Sequence, residues 1–153
     1  MSLKYINVRV STTAPPGAIY ELLRDGATWP TWSPLGSFEL ARPGEDEPEG
    51  VGAVRVFRTG RVTSTERVAE LVRDKRFGYE LVSGLAIRDY RADVDLHTDS
   101  GVTTIHWHSS FRPKLLGTGW LYRRSLSRFI ERCAHGLAKA AAGRSMGQKI
   151  TEG

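Results

Sequence analysis

The chain predicts an α+β domain in which a curved antiparallel sheet of about seven strands wraps around one long C-terminal helix, with two short helices after the first strand. Three observations lead there. Two-residue turn signals at Thr59-Gly60, Asp74-Lys75 and Ser100-Gly101 join alternating segments into hairpins. The registers implied by those turns place apolar residues of successive strands on one face, which a one-residue slip would invert. Residues Trp120–Gly143 carry an apolar stripe at helical spacing, and a sheet and a helix that are each apolar on one side bury one another.

The elements follow in order. In Tyr5–Thr12, Ile6, Val8 and Val10 alternate with Tyr5, Asn7, Arg9 and Ser11, the pattern of a half-buried strand. Pro15 or Pro16 opens a helix over Ala18–Asp25, with Ile19, Leu22 and Leu23 on one face and Gly26 as its stop. Thr28–Pro34 holds two prolines and two tryptophans, which leaves room for a helical turn only. Phe38–Ala41 is a short strand and Arg42–Gly50 an acidic loop.

Val51–Arg58 and Arg61–Arg73 form the first long hairpin. With Arg58 opposite Arg61, Phe57 meets Val62, Arg55 meets Ser64 and Ala53 meets Glu66. Arg76–Ser83 returns from the second turn, so that Val72 meets Phe77, Glu70 meets Tyr79, Val68 meets Leu81 and Glu66 meets Ser83. Both turns assign Ala53, Arg55, Phe57, Val62, Ser64, Glu66, Val68, Val72, Phe77, Tyr79 and Leu81 to one face. Arg88–Thr98 and Val102–Phe111 make the last hairpin, pairing Leu96 with Ile105, Val94 with Trp107, Ala92 with Ser109 and Tyr90 with Phe111. The terminal helix buries Tyr122, Leu126, Phe129, Ile130, Cys133, Leu137, Ala140 and Ala141.

Composition narrows the function classes. With 153 residues, 36 of them Leu, Ile, Val or Phe, the chain suits a single domain over 1–153 with a packed core. No apolar run nears the ~18 residues of a membrane span, and the N-terminus lacks a signal-peptide core, so the expected location is cytoplasmic. A lone cysteine, Cys133, excludes an internal disulfide and a Cys-based zinc site. Net charge is +5, yet residues 112–153 carry nine Lys/Arg against two Glu, and the rest sums to −2. The terminal residues Met1–Leu3 and Glu152–Gly153 are set aside.

The pieces that carry a resemblance are Ala14-Pro-Pro-Gly-Ala-Ile-Tyr, Trp29-Pro-Thr-Trp-Ser-Pro, Gly50-Val-Gly-Ala-Val-Arg-Val-Phe, Thr65-Glu-Arg-Val, Tyr79-Glu-Leu-Val-Ser-Gly-Leu, Arg88-Asp-Tyr-Arg-Ala, Thr104-Ile-His-Trp and Gly117-Thr-Gly. In this order, over about residues 5–142, the chain resembles the polyketide cyclase/dehydrase and lipid-transport group of the START/Bet v 1-like (SRPBCC) superfamily. The resemblance implies a helix-grip fold whose sheet and helix enclose a cavity for a lipid- or polyketide-like molecule. It does not select one duty among binding, transport and ring closure.

Strand parity supplies a lining for such a cavity: Arg55, Phe57, Ser64, Glu66, Tyr79, Leu81, Tyr90, Val94, Trp107 and Phe111, with Trp29, Trp32, Phe38 and Leu85 near a mouth. Apolar walls with few polar groups are what a small-molecule site requires. Arg55 and Glu66, diagonal neighbours, are expected to form an ion pair, either polarising a ligand oxygen or merely satisfying two buried charges. Tyr79 and Tyr90 could donate to a ligand oxygen, and Glu66 or Glu70 could act as base if burial raises its pKa. Arg55, Glu66, Tyr79 and Tyr90 are thus the catalytic candidates should the protein be a cyclase or dehydratase.

Other features carry less. His106 and His108, opposite Asp95 and Asp93 with His97 nearby, imitate a metal cluster, but on the polar face, and no metal or other cofactor is expected. Gly50-Val-Gly and Gly117-Thr-Gly lack phosphate-loop spacing. Arg123, Arg124, Arg128 and Arg132 read as a solvated helix face, and His135 as a surface residue. The expected partner is a hydrophobic or aromatic small molecule, held by a carrier or sensor, with no nucleic acid and no integral membrane association. A homodimer stays open, as does a protein-interaction role for the basic helix.

Overall fold

The computed structural model describes residues 2–152, and the side chains of residues 2–145. Alternation makes Lys4–Thr12 a strand (β1) with Ile6 buried and Tyr5, Asn7 and Arg9 exposed. Pro16 occupies the first turn of α1 (Pro16–Arg24), where a missing N–H costs nothing. The helix ends one residue short of the expected Asp25. That residue instead caps a 3-10 turn, Gly26–Thr28, which leads into the single turn of α2 (Trp29–Trp32).

Six further strands follow: β2 (Ser37–Arg42), β3 (Val54–Thr59), β4 (Val62–Val72), β5 (Arg76–Ser83), β6 (Ile87–Asp99) and β7 (Val102–Pro113). They form one antiparallel sheet in the order β1-β7-β6-β5-β4-β3-β2. The last helix, α3 (Gly119–Glu152), runs past the expected end at Gly143. Gly143 keeps a helical φ instead of the left-handed one that would have ended the helix.

The last hairpin has the expected register as far as Arg91, with Leu96 opposite Ile105, Val94 opposite Trp107 and Ala92 opposite Ser109. Beyond it a bulge between Arg88 and Arg91, with Asp89 in the left-handed region (φ 54°), shifts the register by one, so Arg88 meets Arg112 and the expected Tyr90–Phe111 pair does not form. The other two are corrected. Gly60 (φ 58°) takes the first position of the first turn, so Thr59 pairs Val62. Arg55 therefore stands directly opposite Glu66, and Phe57 opposite Ser64. Parity survives, because the shift moves each partner by two residues.

The second turn is a three-residue loop with Asp74 in the left-handed region (φ 60°). It reverses parity at the tip, where Leu71, not Val72, faces inward beside Phe77, leaving Val72 exposed. A bulge between Val68 and Glu70 restores parity, so Val68 opposes Tyr79 and Glu66 opposes Leu81. Glu70, expected inward, instead meets Arg76 (3.4 Å) and Arg91 (3.3 Å) on the outer face. Val62 keeps the inward parity but lies at the hairpin tip, beyond the core, and is exposed.

Inward residues then form rows across the sheet: Val68–Tyr79–Ala92–Ser109–Ile6 and Phe77–Val94–Trp107–Val8. Helix α3 closes over them with Leu126, Ile130, Cys133, Ala134, Leu137 and Ala141 buried. It packs on β1, β7, α1 and α2, and makes no comparable approach to β3, β4 and β5. Gly136 makes this docking close: a Cβ there would lie 1.8 Å from the Trp32 carbonyl oxygen. No helix among the described residues is long and apolar enough to cross a membrane.

Candidate ligand-binding cleft

The predicted lining divides into two parts. The first is packed. Trp29 touches the rings of Trp32 (centroids 4.6 Å), Phe57 (5.4 Å), Phe77 (6.2 Å), Tyr79 (6.3 Å) and Trp107 (5.8 Å). Val94, Trp107 and Phe111 have no exposed surface. Trp29 and Trp32, expected at a mouth, are core residues, because the short turn of α2 drives both indoles under α3. Their N–H groups donate to the Leu23 carbonyl (3.0 Å) and Thr28 Oγ1 (3.1 Å), which removes the desolvation cost of burying them.

Arg55 belongs to this packed half. Its guanidinium carbon lies 5.2–5.6 Å from the ring centroids of Trp29, Phe38, Phe57 and Phe77. NH1 donates to the Leu23 carbonyl at 3.2 Å, a positive group placed on the negative end of α1. Nε is 3.6 Å from Glu49, whose same oxygen accepts the Gly26 N–H at 2.9 Å. Among the described residues the expected Arg55–Glu66 ion pair does not form; the acidic loop supplies the counter-charge instead. Burial pulls the Arg55 pKa down, and Glu49 and then Glu66 partly offset this. Sequence reasoning missed Glu49, and its position inside an otherwise solvated acidic run gave no signal.

The second part is only partly buried. Phe38, Ser64, Glu66, Leu81 and Leu85 keep accessible surface, as do Tyr122 and Phe129 on α3. Phe38, Leu81, Leu85, Tyr122 and Phe129 also pack against the core, and α3 approaches β3–β5 less closely than β1 and β7, which makes the space between them the candidate cleft. Tyr122 and Phe129 were legible in the apolar stripe of the helix, and both pack against the core while keeping part of their surface accessible. Glu66 is the polar centre of this cleft. It is enclosed by protein yet reachable, and its carboxyl makes no hydrogen bond or ion pair with any described residue. Burial raises its pKa to about 7, with Arg55 pulling the other way.

Behind Glu66 lie the two phenols. Trp107 Nε1 donates to the Tyr79 hydroxyl at 3.2 Å, and Tyr79 is hydrogen-bonded in turn to Tyr90. Burial drives both phenol pKa values up, so both stay protonated. Burial likewise pushes the Cys133 thiol up, leaving it a poor nucleophile.

On the outer face, ligand atoms of Asp95, His106 and His108 lie within 4.8 Å of one another. His108 Nε2 meets Asp95 Oδ2 at 2.6 Å, and Arg76 holds both Asp95 oxygens, at 2.6 and 3.1 Å. Burial alone would raise the Asp95 pKa, but the hydrogen bonds from Arg76 and His108 outweigh it and hold the carboxyl below its ordinary value. The cluster is thus an ion-pair network in which a guanidinium already occupies the carboxylate.

A curved seven-stranded sheet that grips a terminal helix, with two short helices after the first strand, is the helix-grip plan of START/Bet v 1-like proteins. Solved structures share it at low identity. A START superfamily protein from Mycobacterium smegmatis matches with TM-score 0.72 and 16% identity, over 92% of this chain and 95% of that one. The protein XoxI from Bacillus cereus gives 0.71 and 17%, over 89% and 94%. Ara h 8.0201 gives 0.69 and 14%, over 95% and 99%. No curated protein matches. The family model described as polyketide cyclase / dehydrase and lipid transport matches residues 5–142, and the chain belongs to that family.

Proposed function

We propose that this domain binds a hydrophobic or aromatic small molecule bearing one polar group, and serves as its carrier or sensor. The ligand lies between β4–β5 and the first half of α3, its apolar body against Leu81, Leu85, Tyr122 and Phe129. Its polar group is anchored by Glu66. The observation that carries this reading is the Glu66 carboxyl: enclosed, without a protein partner among the described residues, and on a side chain that keeps part of its surface accessible. Such a group is costly in a fold unless something bonds to it. Family membership supports a lipid- or polyketide-like ligand.

A second reading rests on the same group. A carboxyl titrating near pH 7 beside two protonated phenols suits proton abstraction next to a carbonyl, with a phenol steadying the enolate, as a cyclase or dehydratase requires.

Native mass spectrometry of freshly purified protein tests the binding reading: a co-purified hydrophobic compound is expected, in lower amount from Glu66→Gln and Phe129→Ala. Empty protein from every source, together with no binding of a hydrophobic fluorescent probe, would reject it. Turnover of a polyketide-like ketone that vanishes in Glu66→Gln would select the second reading.

A further inference from the structure

Four large apolar side chains lie exposed within seven residues at the junction of β7 and α3: Leu115, Leu116, Trp120 and Leu121, with Leu116 88% and Trp120 63% exposed. The chain holds them out. Gly117 turns it with φ 81°, the Thr118 hydroxyl and N–H both donate to the Leu115 carbonyl (2.7 and 3.3 Å), and the Thr118 carbonyl accepts the Leu121 and Tyr122 N–H groups. The result is a hydrogen-bonded knob of exposed apolar side chains.

Its surroundings are basic. Residues 112–130 contain five Lys/Arg and no Asp or Glu. Lys4, Arg123, Arg124 and Ser127 surround Trp120 around a shallow hollow of about 300 Å³. Neither Arg123 nor Arg124 has an ion-pair partner among the described residues. Both arginines lie in the second turn of α3, and no acidic residue is present in the first turn. With no internal counter-charge there among the described residues, the two guanidinium groups are free to meet an external anion. The acidic loop is engaged elsewhere, Glu47 with Arg24 and Glu49 with Arg55.

We propose that this knob docks the protein on an anionic lipid bilayer. Leu115, Leu116 and Leu121 enter the acyl boundary, Trp120 lies at the headgroup level, and Lys114, Arg123 and Arg124 meet lipid phosphates. A protruding apolar tip ringed by unpaired cations matches a bilayer, which is apolar inside and anionic at its surface. Docking is peripheral and stands whether or not the cleft binds a ligand. The knob is tied to the β5–β6 turn through Lys114 N–H to the Ala86 carbonyl (3.2 Å), so docking brings the neighbouring Leu85 end of the cleft to the membrane.

The test is co-sedimentation of the full chain with vesicles of phosphatidylcholine alone and of phosphatidylcholine with phosphatidylserine. Binding is expected only with phosphatidylserine, weakening with added salt. Trp120 is the one exposed tryptophan among four, so its emission should shift to the blue on binding. Leu115→Ser with Leu116→Ser should lower affinity on the order of tenfold or more. Arg123→Gln and Arg124→Gln should each lower it about fivefold, with far-ultraviolet circular dichroism unchanged in all. Absence of binding to phosphatidylserine vesicles at low salt overturns the proposal. So does binding that neither the leucine nor the arginine variants weaken. Sedimentation showing a dimer that these leucine changes dissolve, with no lipid binding, assigns the knob to self-association instead.

Discussion

Arg55 on β3 stands directly opposite Glu66 on β4, yet the two do not pair; the guanidinium turns toward Glu49 and the Leu23 carbonyl while the carboxyl faces the cleft. One charge thereby becomes part of the core, and the other is left to a ligand. Through-space attraction between them persists, but burial dominates at each, lowering the Arg55 pKa and raising that of Glu66.

The raised Glu66 pKa makes stability depend on pH. Below about pH 4.5 the carboxyl is protonated in folded and unfolded chains alike and contributes nothing. Between about 4.5 and 7 the unfolded chain releases the proton and the folded one keeps it, so stability falls as pH rises. The full shift would convert to about 3 kcal/mol, and the accessible surface of the side chain reduces that to roughly 1–2 kcal/mol. Urea denaturation at pH 5 and pH 8 should show that Glu66→Gln loses less stability over this interval than the wild type. Parallel losses would mean that Glu66 titrates as an ordinary surface carboxylate.

Arg55 leads to an opposite expectation for its own replacement. Two of its buried nitrogens, Nε and NH2, have no hydrogen-bond acceptor, so the desolvation cost is only partly recovered. Arg55→Met keeps the volume between the aromatic rings and should fall within about 1 kcal/mol of wild type. Arg55→Ala leaves a cavity and should cost about 3 kcal/mol. Hydrophobic-probe binding should survive Arg55→Met, since Glu66 is the proposed anchor. Equal losses for Met and Ala would show that the contacts to Glu49 and Leu23 outweigh the packing.

Much of this arrangement was legible because β-strand parity is binary. Turn residues at Gly60 and Gly101 told which side chains share a face, and an error of two residues in the first hairpin left that answer intact. Asp74 misled, because an aspartate in the left-handed region lengthened the loop by one residue, and only the bulge after Val68 returned Val68 and Glu66 to the inner face beside Tyr79 and Leu81. The Arg55–Glu66 ion pair was misread for another reason. Register fixes where Cα atoms stand, whereas a long guanidinium chooses among all acceptors within its reach, and Leu23 and Glu49 come from distant segments. How far α3 stands off β3–β5 depends on Gly136 meeting α2, a contact that no local pattern announces.

The turn of the last hairpin offers a gain in stability. Ser100 and Gly101 both have positive φ, 50° and 79°, and the first position of such a turn favours asparagine over serine. Ser100→Asn should raise the thermal midpoint by a few degrees, about 0.5 kcal/mol, because the left-handed conformation is less strained for asparagine. An unchanged or lower midpoint would show that the contact of the Ser100 hydroxyl with Asp99 (3.2 Å) offsets the backbone term.

Gly136 couples the helix to the rest of the domain. It lies inside α3, where glycine costs about 1 kcal/mol relative to alanine, so an exposed glycine there would be improved by Gly136→Ala. Here the added methyl would sit 1.8 Å from the Trp32 carbonyl oxygen, a backbone atom that a rotamer change cannot move. Helix α3 and α2 have to separate, which disturbs the ring packing of Trp29 and Trp32 on Trp107. Gly136→Ala should therefore destabilise by about 2–3 kcal/mol despite its better helix propensity. Gly143→Ala, which meets nothing within 4 Å, is the control and should stabilise by up to about 1 kcal/mol. Chemical denaturation of the two variants decides the matter. A Gly136→Ala protein as stable as Gly143→Ala would mean that α3 does not rest on α2 as closely as described, and the stand-off that opens the Glu66 cleft would lose its cause.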